Sequence, residues 1–308
     1  MSKTIKDVLL ESKDLSTKFY TIADMTVSLL DYPVNAYKTM VNMGMKTWGD
    51  KSNKWEDLSE VDRLYVVKEI LKKKVLPLAL EHPTFSFSVE HIDRSTFDQL
   101  ARQRIGIVFA SKGQKDDFLD SLGFVMPTRV IGTKYEQLIK DQVLSCKNLY
   151  HEMQKDGIPN WSRRCILPMY SEHSFIFSAN FMAIQNMLSK RLETTEQEGC
   201  VAFSLLVIEA IKTQYPLLAS WLRPACDFAN KDLTASFNGF SDIVSVPHGS
   251  DNRHRGFDPK ITPPTWKEPC ANMYLIEKML KLDFSDFYNT NISLFELDKK
   301  DKQKFREN

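Results

Sequence analysis

Residues 95–106 read Ser-Thr-Phe-Asp-Gln-Leu-Ala-Arg-Gln-Arg-Ile-Gly and concentrate side chains that could do chemistry. Arg102 and Arg104 each carry a fork of N–H donors that matches phosphate oxygens, and Gln99 and Gln103 can read the edge of a heterocycle. The elements that would position them are visible alongside. Phe85, Phe87 and Val89 alternate with Ser86, Ser88 and Glu90, the pattern of a half-buried strand. Ser95 is the expected N-cap of the helix that follows, with Asp98 completing a weak capping box. On that helix Phe97, Leu100 and Ala101 point one way, and Gln99, Arg102 and Gln103 lie within one turn on the other. Spacing alone leaves two readings open: a solvated polar face, which it favours, or a grip on a phosphorylated heterocycle.

Two separated stretches narrow the choice. Glu81-His82, Phe85-Ser86-Phe87, Gln99 and Arg102-Gln103-Arg104 come first. Gly157-Ile158-Pro159, Arg164, Leu167-Pro168, Asn180, Asn186, Arg191 and Gln197 follow in a matching order. Over roughly residues 40–222 the chain resembles the flavin-dependent thymidylate synthases, as a divergent member of the kind found in viral DNA modification. That resemblance implies an α+β fold, a mixed or antiparallel sheet flanked by long helices. It also implies a homotetramer with active sites at subunit interfaces. The implied reaction adds a one-carbon unit from methylenetetrahydrofolate to C5 of a deoxyuridine nucleotide, with FAD supplying hydride and NADPH as upstream reductant.

The resemblance assigns roles residue by residue. Arg191 falls where the family holds the O2/N3 edge of the uracil and makes C5 nucleophilic. The alternative is a surface arginine paired with Glu193 or Glu196. Arg164 matches a phosphate-binding arginine, or is a helix-flanking charge beside Arg163. Gln99 and Arg102 match substrate-side positions. Arg102, Gln103 and Arg104 match the family's Arg-His-Arg, with Gln103 in place of the histidine. Asn180 and Asn186 match flavin-side asparagines, although a helix cap also explains Asn180.

Departures are as informative. The family's phosphate-holding run of Ser, Asn or Gln, Glu, Ser and Arg is replaced by Ile107, Phe109, Ala110, Lys112 and Gln114. Gly113 survives, and Ser111 and Lys112 remain as phosphate contacts. A flavin-side His-x-Thr becomes Leu76-Pro77-Leu78, and an arginine two residues after Asn180 becomes Met182. This pattern leaves three possibilities: C5 methylation or hydroxymethylation near dUMP to dTMP, action on another nucleotide such as dCMP, or a non-catalytic nucleotide-binding scaffold.

The remaining sequence sets the frame. The chain has 308 residues, 43% hydrophobic and 26% charged, with net charge +1. Bulk attraction to nucleic acid or an anionic membrane is not expected. Five scattered cysteines point to a reducing, cytoplasmic setting, and six histidines show no metal-ligand spacing. No secretory signal or membrane span is expected. Helices are expected from Ser59-Glu60-Val61-Asp62, over 135–155 with Leu138, Ile139, Val143, Leu149 and Met153 inward, over 180–192 and over 195–213. Residues 1–226 form the expected family domain. Residues 227–308 form a loop-rich extension with one helix near 269–282 and a solvated tail from Asp298, packed on the same domain. Arg253-His254-Arg255 repeats the family tripeptide by letter only, and Cys226 is read as structural.

Overall fold

The computed structural model describes residues 17–48, 54–72, 76–113, 123–192, 196–223, 271–283 and 298–306. The fold is α+β. Strands β2 (Thr26–Asp31), β3 (Thr84–Asp93), β4 (Ile107–Ser111) and β6 (Glu172–Asn180) form one sheet in the order β2-β3-β6-β4. The two-residue strands β1 (Phe19–Tyr20) and β5 (Phe124–Val125) pair in parallel. Strand β3 forms where the alternation predicts: Phe85, Phe87 and Val89 are buried, and Glu90 is exposed.

The chain divides into two compact units. The larger draws on residues 27–88, 100–109 and 177–308. Its core is aromatic. Phe87 stacks on Phe177 at 4.7 Å between ring centroids, and Phe177 meets Phe203 at 5.5 Å. Phe203 lies on the helix Glu198–Lys212, whose nearly all-apolar run from Val201 to Ile208 is largely buried, the one hydroxyl in it, Ser204, donating to the Cys200 carbonyl. Helix α1 (Ala36–Trp48) packs against α2 (Glu60–Leu71), which Ser59 caps by accepting the Asp62 N–H at 3.2 Å. Of the stripe expected on α2, Val67, Ile70 and Leu71 are buried and Leu64 is half-buried.

The smaller unit draws on residues 1–26, 89–99 and 110–176. Helix α3 (Arg94–Leu100) lies in it as far as Gln99, and here the sequence reading needs correction. Asp93, not Ser95, is the cap: its carboxylate accepts the Thr96 N–H at 2.8 Å and the Thr96 hydroxyl at 2.5 Å. The N–H groups of Arg94 and Ser95 go to the carbonyls of Ser171 and Met169. The first-turn donors are thereby satisfied without a serine cap. The helix stops at Leu100, so Arg102, Gln103 and Arg104 lie in the loop beyond it rather than on a helix face. The end of β3 is pinned too. His91 takes a left-handed φ of +60°, its Nδ1 lies 2.5 Å from Glu172 Oε1, and Tyr20 stacks on its ring at 4.2 Å.

Helix α4 (Tyr135–Lys155) has the predicted bounds but a different buried face. Val143 and Tyr150 point inward, and Ile139 packs against the cluster of Phe124, Met126 and Val143. Leu138 and Leu149, expected inward, are 61% and 45% exposed. Helices α5 (Asn160–Arg163), α6 (Phe181–Arg191), α7 (Glu198–Lys212) and α8 (Pro216–Ala219) follow in order.

The C-terminal segments also depart from expectation. Helix α9 (Ala271–Leu280) packs on α7 within the larger unit. The tail expected to be solvated is a second helix, α10 (Lys299–Arg306), with Asp301 and Phe305 fully buried. The Phe305 ring stacks between Tyr37 at 4.6 Å and Trp55 at 6.0 Å. Asp301 accepts the Tyr37 hydroxyl and the Leu217 N–H. Cys226, Arg253-His254-Arg255 and residues 227–268 lie outside the described residues.

Candidate active site

Five sequence-predicted residues belong to the smaller unit. Gln99 is half-buried near the end of α3. Ser111 closes β4 and is exposed, Lys112 beyond it is exposed, and Gly113 is half-buried. Arg164 is exposed at the start of a single 3-10 turn, Arg164–Ile166.

The other predicted residues belong to the larger unit, and several meet at the start of α6. Asn180 is the N-cap: its Oδ1 accepts the Ala183 N–H at 2.8 Å. Its own N–H donates to the Gly106 carbonyl at 3.1 Å. Gly106 has φ +73°, and a Cβ there would come 2.7 Å from Asn180 Nδ2 and 2.9 Å from the Ala183 Cβ. Only glycine allows this close approach. The loop of residues 101–106 is thus held against the first turn of α6. Arg102 and Arg104 are exposed on that loop and make no ion pair among the described residues. Gln103 is half-buried, its N–H turned to the Leu100 carbonyl at 3.0 Å.

Helix α6 separates the remaining two from this cluster. Asn186 is exposed, one and a half turns on. Arg191 ends the helix, eleven residues from Asn180, and at 1.5 Å per residue that is about 16 Å away. A cation there suits the helix C-terminus. Its Nη1 pairs with both carboxylate oxygens of Glu196, at 3.0 and 2.9 Å. The structure therefore shows the Glu196 pairing that the sequence offered as the alternative for Arg191, and the capping that it offered for Asn180.

Free guanidinium groups beside a glycine-tight backbone and an asparagine amide suit an anionic, hydrogen-bonding ligand such as the diphosphate of a flavin dinucleotide. Among the described residues, no group of three or more His, Cys, Asp or Glu could hold a metal ion. No helix among them is long and apolar enough to cross a membrane. Sequence reasoning missed Asp93, although Asp-x-x-Thr is a capping signal in its own right. It also missed Arg163, which is buried while its neighbour Arg164 is exposed. Tandem arginines carry no signal that tells one from the other.

Comparison with known proteins bears on these residues. The family described as "Thymidylate synthase complementing protein" matches residues 28–217. A flavin-dependent thymidylate synthase of Geobacter sulfurreducens is 27% identical over 150 residues, covering 48% of this chain and 64% of that protein. One from Sulfurisphaera tokodaii is 23% identical over 147 residues, covering 48% and 57%. The matched part of the chain thus spans 57–64% of the length of these relatives. Among solved structures, a UMP/dUMP methylase, PolB, from Streptomyces cacaoi, bound with 5-Br dUMP, shares the fold. Its TM-score is 0.56 at 15% identity, over 66% of this chain and 96% of that one. With the family match running from within β2 to the start of α8, well over half of the chain, this chain belongs to the thymidylate synthase complementing protein family.

Proposed function

We propose that the chain is a methyltransferase of the flavin-dependent thymidylate synthase type. It acts at C5 of a pyrimidine deoxynucleotide, adding a methyl or hydroxymethyl group, with dUMP to dTMP as the nearest reaction. The observation that carries this reading is the loop of residues 101–106, locked by Gly106 against Asn180, with Arg102 and Arg104 exposed and free of ion pairs among the described residues. The relatives' names and the nucleotide bound to PolB support it.

In this reading Arg102, Gln103, Arg104, Asn180 and Asn186 hold FAD. Gln99, Arg102, Ser111, Lys112, Gly113, Arg164 and Arg191 hold the nucleotide. The flavin, when bound and reduced by NADPH, supplies hydride, and methylenetetrahydrofolate supplies the carbon. Arg191 donates to the O2/N3 edge of the ring and stabilises the negative charge that makes C5 nucleophilic. Glu196 orients that guanidinium in the absence of substrate. A homotetramer is part of the proposal. Tyr135, Leu138 and Leu149 share an exposed apolar stripe along α4, and a second copy is its natural cover. Residues 227–308 are read as an extension on the same domain, and the setting as cytoplasmic.

The Arg191–Glu196 pair favours a second reading, a non-catalytic scaffold that keeps nucleotide affinity. Release of tritium from dUMP labelled at C5, with FAD, NADPH and methylenetetrahydrofolate present, separates the two. Release is expected, and Arg191→Ala should slow it by about a hundredfold or more. Nucleotide binding with no release from dUMP or dCMP would select the scaffold.

A further inference from the structure

We infer that Arg163, a residue given no role above, anchors the phosphate group of the nucleotide in the smaller unit, beside Arg164. The inference rests on the nucleotide reading for the identity of the phosphate, but not for the existence of an oxyanion site.

Arg163 is 4% exposed. Its guanidinium carbon sits 4.6 Å above the centre of the Tyr150 ring, itself buried on α4. Its Nε is buried with no hydrogen-bond partner, and no carboxylate pairs with it among the described residues. Arg63 shows what a structural arginine of equal burial looks like here. Arg63 also lies over an aromatic ring, Trp55 at 4.5 Å, but its Nε donates to the Trp55 carbonyl and its Nη1 to the Phe305 carbonyl, both at 2.8 Å. Arg163 has the ring and lacks the acceptors. A ring beneath a guanidinium leaves the donors, which lie in its plane, unsatisfied. A buried cation without counter-charge or acceptor destabilises the fold, and an apolar side chain of similar size would serve packing better.

The missing group is therefore an oxyanion. Arg164, the next residue, is exposed, and no ion pair holds it among the described residues. A planar guanidinium with its donors open matches the oxygens of a phosphate dianion.

The test begins with inorganic phosphate, which does not presuppose a pyrimidine. Phosphate should raise the melting temperature of the wild-type protein where chloride at equal ionic strength does not. Arg163→Gln should remove most of that rise, and Arg164→Gln only part of it. Without phosphate, Arg163→Met should melt at the same temperature as wild type or a few degrees higher. The preference for dUMP over deoxyuridine should fall at least tenfold in Arg163→Gln. Phosphate protection unchanged in Arg163→Gln would overturn the inference. So would a variant that loses its self-assembly in sedimentation velocity but keeps phosphate protection, since Arg163 would then meet a carboxylate of a second copy. If phosphate protects through Arg163 but dUMP binds no better than deoxyuridine, the oxyanion site stands and the nucleotide assignment falls.

Discussion

Gly106 and Asn180 show how one backbone conformation can fix a loop against a helix cap. The left-handed φ of Gly106 lets the loop carrying Arg102 and Arg104 come within contact of the α6 cap. Gly106→Ala combines an unfavourable φ with a clash against Asn180, so a loss of roughly 1–3 kcal/mol is expected in urea unfolding. Flavin affinity should fall with it, measured by fluorescence titration. In the proposed reaction Arg191 carries the chemistry of activation. Arg191→Ala should lower kcat/KM for dUMP by about a hundredfold or more. Glu196→Gln, which removes the competing charge, should leave kcat within a few-fold and change KM more. The two readings offered for Asn180 are compatible, since its Oδ1 caps α6 while its Nδ2 faces Gly106. Residue types and spacing show which side chains could act; how they are engaged depends on neighbours brought together by the fold. Glu196 on Arg191 was readable as one of two nearby acids, whereas the empty surroundings of Arg163 had no sequence signature.

At the scale of elements, helix α10 is the clearest case of context overriding pattern. Lys-Lys-Asp-Lys-Gln-Lys-Phe-Arg has one apolar residue in eight and reads as solvent-exposed by composition. Its stability comes from elsewhere: the slot of Tyr37 and Trp55 that takes Phe305, and the buried donors that meet Asp301. Phe305→Ala should cost about 3–5 kcal/mol. Burial raises the Asp301 carboxyl to about 6 from the ordinary 3.8, against the lowering pull of the Tyr37 and Leu217 hydrogen bonds and of Lys304, and with Asp298 adding to the rise. A carboxyl whose folded value is raised contributes most at low pH, and that contribution is lost as pH rises through 6. The full change, from below pH 3.8 to above pH 6, amounts to roughly 3 kcal/mol, about half of it falling between pH 5 and pH 7.5. Amide exchange in α10 should therefore show easier opening at pH 7.5 than at pH 5, and Asp301→Asn should flatten that dependence. A dependence of opposite sign would mean that the carboxyl is ionised in place. The strand β3 and helices α2 and α7 were readable because their patterns are strong and local. The boundary of α3 was not, because Asp93 and the carbonyls of Met169 and Ser171 set it across a gap of more than seventy residues.

For the whole molecule, family membership rests on residues 28–217, and the likeness to PolB at 15% identity shows the fold alone. The changed positions, Leu76-Pro77-Leu78 and Met182 on the flavin side, bear on whether this chain still uses the cofactor. The most direct measurement is a visible absorption spectrum of the purified protein, before and after incubation with FAD and desalting. Arg102, Arg104 and the Gly106–Asn180 contact predict stoichiometric flavin bands that survive desalting and are lost in Arg104→Ala. A colourless wild-type protein that cannot retain added FAD would contradict flavin-dependent catalysis by this chain.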